Sequence, residues 1–259
     1  MNIGFIGTGK ISGAVIEALC SSRLEDYKII VSPRNRDISI KLAEKYARVV
    51  RAENNQEVVD KSDAIFLALR PPVYKEVIAE LKFRADHVIV SLIPFSFYND
   101  LCDLIRPATI LSRATPLPTV VTHTCPIPVF MPSEVSWKIL SSIGQPFEVS
   151  SEEELHTIWT LTCLISPFYD MMNSLSEWAS NNSVPKDLSD KYVADMFHTL
   201  AYAAHLSDKP DFTALSHHAA TPGGLNEQTG MEIKSSGAHQ AYVDAADGIL
   251  KLFKLNCKI

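Results

Sequence analysis

Three stretches of this chain combine residue types and spacing that could do chemistry. The first is Gly7-Thr8-Gly9-Lys10-Ile11, which follows the apolar run Asn2 to Ile6. From Ile11 the apolar residues Ile11, Ala14, Val15, Ala18 and Leu19 fall on one face of a helix. A strand feeding a helix through Gly-x-Gly aims backbone N–H groups at the positive end of the helix dipole, a site for a pyrophosphate. Gly7 permits the sharp turn and Gly9 lets a phosphate approach bare backbone. The third glycine of the dinucleotide pattern is replaced by Ser12, with Gly13 beside it. Gly7, Thr8, Gly9, Lys10 and Ile11 are therefore the expected pyrophosphate loop.

The second stretch, Ser32-Pro33-Arg34-Asn35-Arg36, ends the next apolar run and carries no carboxylate before Asp37. An acid there would hold a ribose 2′-hydroxyl, whereas a hydroxyl and a guanidinium suit a 2′-phosphate. Ser32 and Arg34 thus predict NADP(H) over NAD(H); the competing reading is that the arginines decorate a surface loop. The third stretch is Pro222-Gly223-Gly224-Leu225-Asn226-Glu227. A Pro-Gly-Gly turn at a helix N-terminus offers N–H groups to a carboxylate. Asn226 adds an amide donor. Glu227 reads equally as an acid, a recognition group for a basic substrate, or a first-turn carboxylate stabilising the helix dipole.

Other reactive residues point nowhere so definite. His217-His218, and His198 with His205, lack the close His-x-x-x-His plus carboxylate arrangement of a metal site, so no metal is expected. Cys20, Cys102, Cys125, Cys163 and Cys257 are scattered and odd in number, which predicts reduced, packing thiols in a cytoplasmic setting. No basic-then-apolar leader precedes the first strand, so a signal peptide is not expected. The uncharged stretch from Ala114 to Ser133 is too rich in proline to cross a membrane. A net charge of −6 without a basic cluster argues against nucleic acid and anionic membranes as partners.

These residues need elements to hold them. Short apolar runs at Lys28 to Val31, Val49-Val50, Ala64 to Leu69 and His87 to Leu92 alternate with helical segments, which predicts a doubly wound α/β sheet. Further strands are expected at Thr109 to Arg113, Ile127 to Phe130 and Phe147 to Val149, with a helix at Ser133 to Ile143. Ligands of such a sheet lie at the carboxyl ends of the strands, where Gly7, Ser32, Arg70 and Ile93-Pro94 fall. Near 150 the pattern changes. Ser150 and Ser151 ahead of Glu152-Glu153-Glu154 cap a helix, and only helices follow: 155–165, 168–179, 188–206, 225–234 and 238–253. The expected domains are 1–150, binding the dinucleotide, and 151–259, an all-α domain that completes its core by forming a homodimer.

The order of elements and several strings resemble pyrroline-5-carboxylate reductase across essentially the whole chain. These are Gly4 to Gly9; Asn55 ahead of its helix; Ala64 to Pro71, with Arg70 in place of the family's lysine; Ser91; Arg113-Ala114-Thr115-Pro116; Ser166-Pro167-Phe168-Tyr169; and Thr221-Pro222-Gly223-Gly224. The resemblance implies an N-terminal Rossmann domain, a helical dimerisation domain, and NADPH- or NADH-dependent reduction of a cyclic imine to proline. It places Asn55, Leu69, Arg70 and Pro71 at the cofactor, and Thr115, Pro222, Gly223 and Gly224 at the substrate. Leu225, Asn226 and Glu227 then occupy the catalytic positions. The family has a Thr pair where Leu225 and Asn226 stand, and an asparagine where Leu117 stands. Three readings follow: an imine reductase of this type, a related NADP-dependent dehydrogenase of another small acid, or a dinucleotide-binding sensor without catalysis.

Overall fold

The computed structural model describes residues 1–256; Cys257 lies outside the described residues. The first half alternates strands and helices: β1 (Asn2–Ile6), α1 (Lys10–Ser21), β2 (Lys28–Val31), α2 (Arg36–Lys45), β3 (Val49–Arg51), α3 (Asn55–Lys61), β4 (Ala64–Leu67), α4 (Tyr74–Ala79), β5 (Val88–Ser91), α5 (Tyr98–Leu104) and β6 (Ile110–Ala114). A 3-10 turn (Pro118–Thr122), β7 (Pro126–Phe130), α6 (Glu134–Ser141) and β8 (Gln145–Val149) follow. The eight strands lie in the order β3-β2-β1-β4-β5-β6-β7-β8. All pairs are parallel except β6 with β7, where Arg113 stands opposite Phe130. This is a Rossmann-type sheet, and its strand order reverses between β1 and β4.

Both faces of the sheet are covered, so its central strands are apolar throughout. Side chains alternate along β1: Ile3 and Phe5 enter a cluster with Val15, Ile16 and Leu19 of α1, while Ile6 enters the opposite cluster with Val58, Ile65 and Ile78. Phe5 stacks on Phe66 of β4 at 4.8 Å. Each such fully buried side chain contributes roughly 1.5–3 kcal/mol. That shared core fixes the strand ends from which the loops depart.

The chain divides into two compact units: Met1–Trp159 with the chain from Phe253 onward, and Thr160–Leu252. The first unit therefore takes in two turns of α7 (Glu152–Leu161) and the end of α12 (Ala238–Asn256), which the change of pattern near 150 did not register. The acidic run is a capped helix start as expected: Glu154 accepts from the Ser150 N–H (2.8 Å) and Ser151 Oγ accepts from the Glu154 N–H (3.1 Å).

The second unit holds α8 (Ile165–Asn181), α9 (Lys186–His205), α10 (Phe212–Ala219), α11 (Leu225–Ser235) and most of α12. The helix break falls at a 3-10 turn, Thr162–Leu164, and Pro167 rides in the first turn of α8, where its missing N–H costs nothing. α8 and α9 pack together through Phe168 against Phe197 and a hydrogen bond from Ser176 Oγ to Asp190 Oδ1 (2.5 Å). Among the described residues of this unit only Thr160, Ser176, Ser189 and Val193 are buried. Two helices, α5 and α10, were not expected.

Candidate cofactor and substrate sites

The glycine turn is built as its sequence requires. Gly7 has φ +95°, and a Cβ there would sit 2.4 Å from the Ala68 carbonyl oxygen. A Cβ on Gly9 would meet nothing within 4 Å, so open space lies over the turn where a phosphate must approach. The N–H groups of Lys10 and Ile11, the first residues of α1, have no helical acceptor and face that end of the dipole. Ser12 takes over from the missing third glycine: its Oγ accepts from the Gly9 N–H (2.7 Å) and tightens the turn.

Ser32 corrects an expectation. It is fully buried, and its Oγ accepts from the Gly7 N–H (3.0 Å) while lying 3.1 Å from Thr8 Oγ1. Its hydroxyl braces the glycine turn from beneath. Arg34 and Arg36 are exposed just beyond the end of β2. A third guanidinium, unread in the sequence, joins them: Arg51 at the end of β3 donates to Ser39 Oγ (3.0 Å) and the Pro33 carbonyl (3.3 Å). Of the other expected cofactor residues, Asn55 begins α3 half-buried behind its cap Asn54, whose side chain accepts from the Glu57 N–H. Leu69 is buried, its Cδ2 3.3 Å from the place a Gly7 Cβ would take, while Arg70 is exposed and Pro71 half-buried. These residues lie at or just beyond the carboxyl ends of β1, β2, β3 and β4, the side of an open α/β sheet on which ligands bind.

The substrate residues fall differently. Thr115 is buried past the end of β6, its N–H donated to the Pro128 carbonyl (3.3 Å). In the second unit Gly223 has φ +74° and Gly224 caps α11. The expectation of free backbone donors in this turn is corrected at both glycines. Glu227 Oε2 accepts from the Gly223 N–H (2.7 Å), and the Thr221 carbonyl accepts from the Gly224 N–H (2.8 Å). Asn226 turns its amide onto the Ala219 carbonyl (3.0 Å), and Leu225 is 82% exposed. What remains free for an anion is the first-turn N–H set of Leu225, Asn226 and Glu227.

A buried cluster in the first unit had no signal in the sequence beyond the string around Thr115. Arg113, with no exposed side-chain surface, pairs through one terminal nitrogen with Glu152 and lies 3.0 Å from His156 Nε2. Its other terminal nitrogen donates to the Ile93 carbonyl (3.1 Å) and Ser96 Oγ (3.2 Å). Burial pulls the Arg113 pKa down and the Glu152 carboxylate opposes this. Burial, with the adjacent guanidinium, pushes His156 down to about 4, so it is neutral at pH 7. Three of the described thiols are shifted away from the reactive thiolate. Burial raises Cys20 to about 11 and also raises Cys102 and Cys125. Among the described residues no three His, Cys, Asp or Glu side chains gather as a metal would need.

Residues 2–94 match the family described as NADP oxidoreductase, coenzyme F420-dependent. Over 95% of its length the chain is 24% identical to pyrroline-5-carboxylate reductase 2 of Rattus norvegicus, covering 81% of that protein. Pyrroline-5-carboxylate reductase of Corynebacterium melassecola is 22% identical, with 94% of each chain covered. Over about 95% of its length the chain is thus similar to pyrroline-5-carboxylate reductases. Its fold matches the 1-pyrroline-5-carboxylate reductase of Streptococcus pyogenes with TM-score 0.85 at 21% identity, covering 98% of both chains. It matches Plasmodium falciparum pyrroline carboxylate reductase, solved with NADP bound, equally well: TM-score 0.85 at 15% identity, with 99% and 98% covered.

Proposed function

We propose that this protein is an NADPH-dependent reductase of a cyclic imino acid, converting 1-pyrroline-5-carboxylate to proline. The single observation that carries the proposal is the full-length likeness to pyrroline-5-carboxylate reductases, joined to a glycine turn with open space over Gly9. When bound, the nicotinamide cofactor supplies the hydride for the C=N carbon. The chain's own residues bind and orient. The N–H groups of Lys10 and Ile11 hold the pyrophosphate, with Thr8 at the turn. Arg34, Arg36 and Arg51 face a 2′-phosphate. Asn55, Leu69, Arg70 and Pro71 line the crevice beyond. The first-turn N–H groups of Leu225, Asn226 and Glu227, presented by the turn Pro222-Gly223-Gly224, receive the substrate carboxylate. An iminium already carries its proton, so no strong protein acid is required.

One observation favours a second reading, a related NADP-dependent reductase of another small acid. The turn that would hold the carboxylate already carries the carboxylate of Glu227. Deuterium transfer separates the two readings. Incubation with 1-pyrroline-5-carboxylate and NADPH deuterated at C4 is expected to yield proline labelled at C5. 1-Pyrroline-5-carboxylate recovered intact, with deuterium appearing instead in the amino or hydroxy acid formed when a different imino or keto acid is supplied in a parallel incubation, supports the second.

The helical unit is proposed to form a homodimer. A unit that buries four of its described residues and exposes Trp178 (67%), Phe212 (70%) and Leu206 (71%) gains its missing core by association. A soluble, cytoplasmic setting fits a chain whose described helices include none long and apolar enough to cross a membrane.

A further inference from the structure

The loop between β5 and α5 leaves the carboxyl edge of the sheet two strands from the glycine turn. In the strand order β2-β1-β4-β5, a dinucleotide whose adenosine end lies over β2 and whose pyrophosphate meets α1 must extend its other half over β4 and β5. On the nucleotide-binding reading, the loop Leu92 to Phe97 would face the nicotinamide end. Its conformation is unusual. Phe95 has φ +54°, a left-handed backbone that costs a bulky residue energy and persists only where neighbours over-determine it.

Those neighbours converge on one side chain. Arg113, on β6 opposite Ser91 in register, donates to the Ile93 carbonyl and to Ser96 Oγ, which in turn donates to the same carbonyl (2.8 Å). The guanidinium's far side is held by Glu152, whose Oε1 also accepts from the Tyr98 N–H at the start of α5 (2.7 Å). His156 completes the frame. Its ring lies edge-on to Phe97 and stacked on Phe253, and Phe253 packs on Phe95 at 4.3 Å. Both ends of the loop are thus tied to Arg113 directly or through one residue, and its strained centre through two, Phe253 and His156. A fork of fixed geometry can hold a carbonyl, a hydroxyl and a carboxylate at once; an ammonium cannot reach all three.

We propose that Arg113 is a positioning residue for the nicotinamide end of the cofactor: it sets the Ile93–Phe97 wall and does not itself touch the nucleotide. The inference rests on the nucleotide-binding reading above, and its test separates the two. Binding of NADPH and of 2′,5′-ADP, which lacks the nicotinamide half, is measured by calorimetry on wild type, Arg113→Lys and Ser96→Ala, with nicotinamide fluorescence followed for NADPH. Ser96→Ala removes one acceptor and keeps the charge pair, so it guards against a misfolded arginine variant. The expected result is selective. Arg113→Lys weakens NADPH about tenfold, as loss of one or two hydrogen bonds would, and Ser96→Ala about threefold. Both lower the fluorescence enhancement, and both leave 2′,5′-ADP affinity unchanged. Parallel weakening of both nucleotides, or no change in either, overturns the assignment. Failure of the wild type to bind either nucleotide would remove the functional reading and this one with it.

Discussion

At the scale of single residues, the two glycines of the first turn make separable predictions. Gly7→Ala drives a methyl into the Ala68 carbonyl at a positive φ, so it should destabilise the fold by about 2–4 kcal/mol and weaken any nucleotide. Gly9→Ala meets open space, so its urea midpoint should match wild type while NADPH binding falls at least about tenfold, because the methyl occupies phosphate space. Equal stability losses in the two variants would contradict this division. Glu227 carries a second test. Its carboxylate holds the Gly223 N–H, so Glu227→Gln should remove a resident anion and tighten the binding of L-proline, measured by calorimetry, by about tenfold. Unchanged affinity would show that the turn is not where carboxylates bind.

His156 supplies the pH dependence. Its folded pKa of about 4 lies below the ordinary imidazole value, so between those two values the unfolded chain binds the extra proton. Stability therefore rises with pH through that window. The contribution is present above about pH 6.5 and is lost as pH falls toward 4, of order 3 kcal/mol when fully developed. His87, also lowered by burial, acts in the same direction. Urea midpoints should fall as pH is lowered across this range in wild type and fall less in His156→Gln.

At the scale of elements, what was legible followed from local pattern. Strands β1, β2, β4 and β5 announce themselves because both sheet faces are buried and their runs are apolar. α5 and α10 did not: α5 carries Asn99, Asp100 and Asp103 among its seven residues, poor helix formers that read as loop, and α10 has His217 and His218 in its last turn. The glycine turn was readable because three adjacent residues define it. The Arg113 frame was not, because its partners lie 17 to 43 residues away and only folding brings them together. The same holds for Arg51, which reaches the arginine loop across 18 residues. At the mouth of that loop Arg34→Ala should weaken NADPH about tenfold and leave NADH unchanged, read as the ratio of the two affinities. Identical losses for both would place Arg34 away from the 2′-phosphate.

At the scale of the molecule, the helical unit and the sheet unit differ in how complete they are. The sheet unit closes its own core on both faces; the helical unit leaves large aromatic and aliphatic groups in water. Sedimentation at micromolar concentration should give a dimer, and a monomer would mean that those faces serve something other than a second copy. Reduction of a cyclic imine by this chain is the claim on which the rest depends. Its most direct test is the initial rate of NADPH oxidation with 1-pyrroline-5-carboxylate, run beside NADH. Saturable oxidation, faster with NADPH and accompanied by equimolar proline, is the predicted result. No oxidation above background, with NADPH bound tightly, would contradict it.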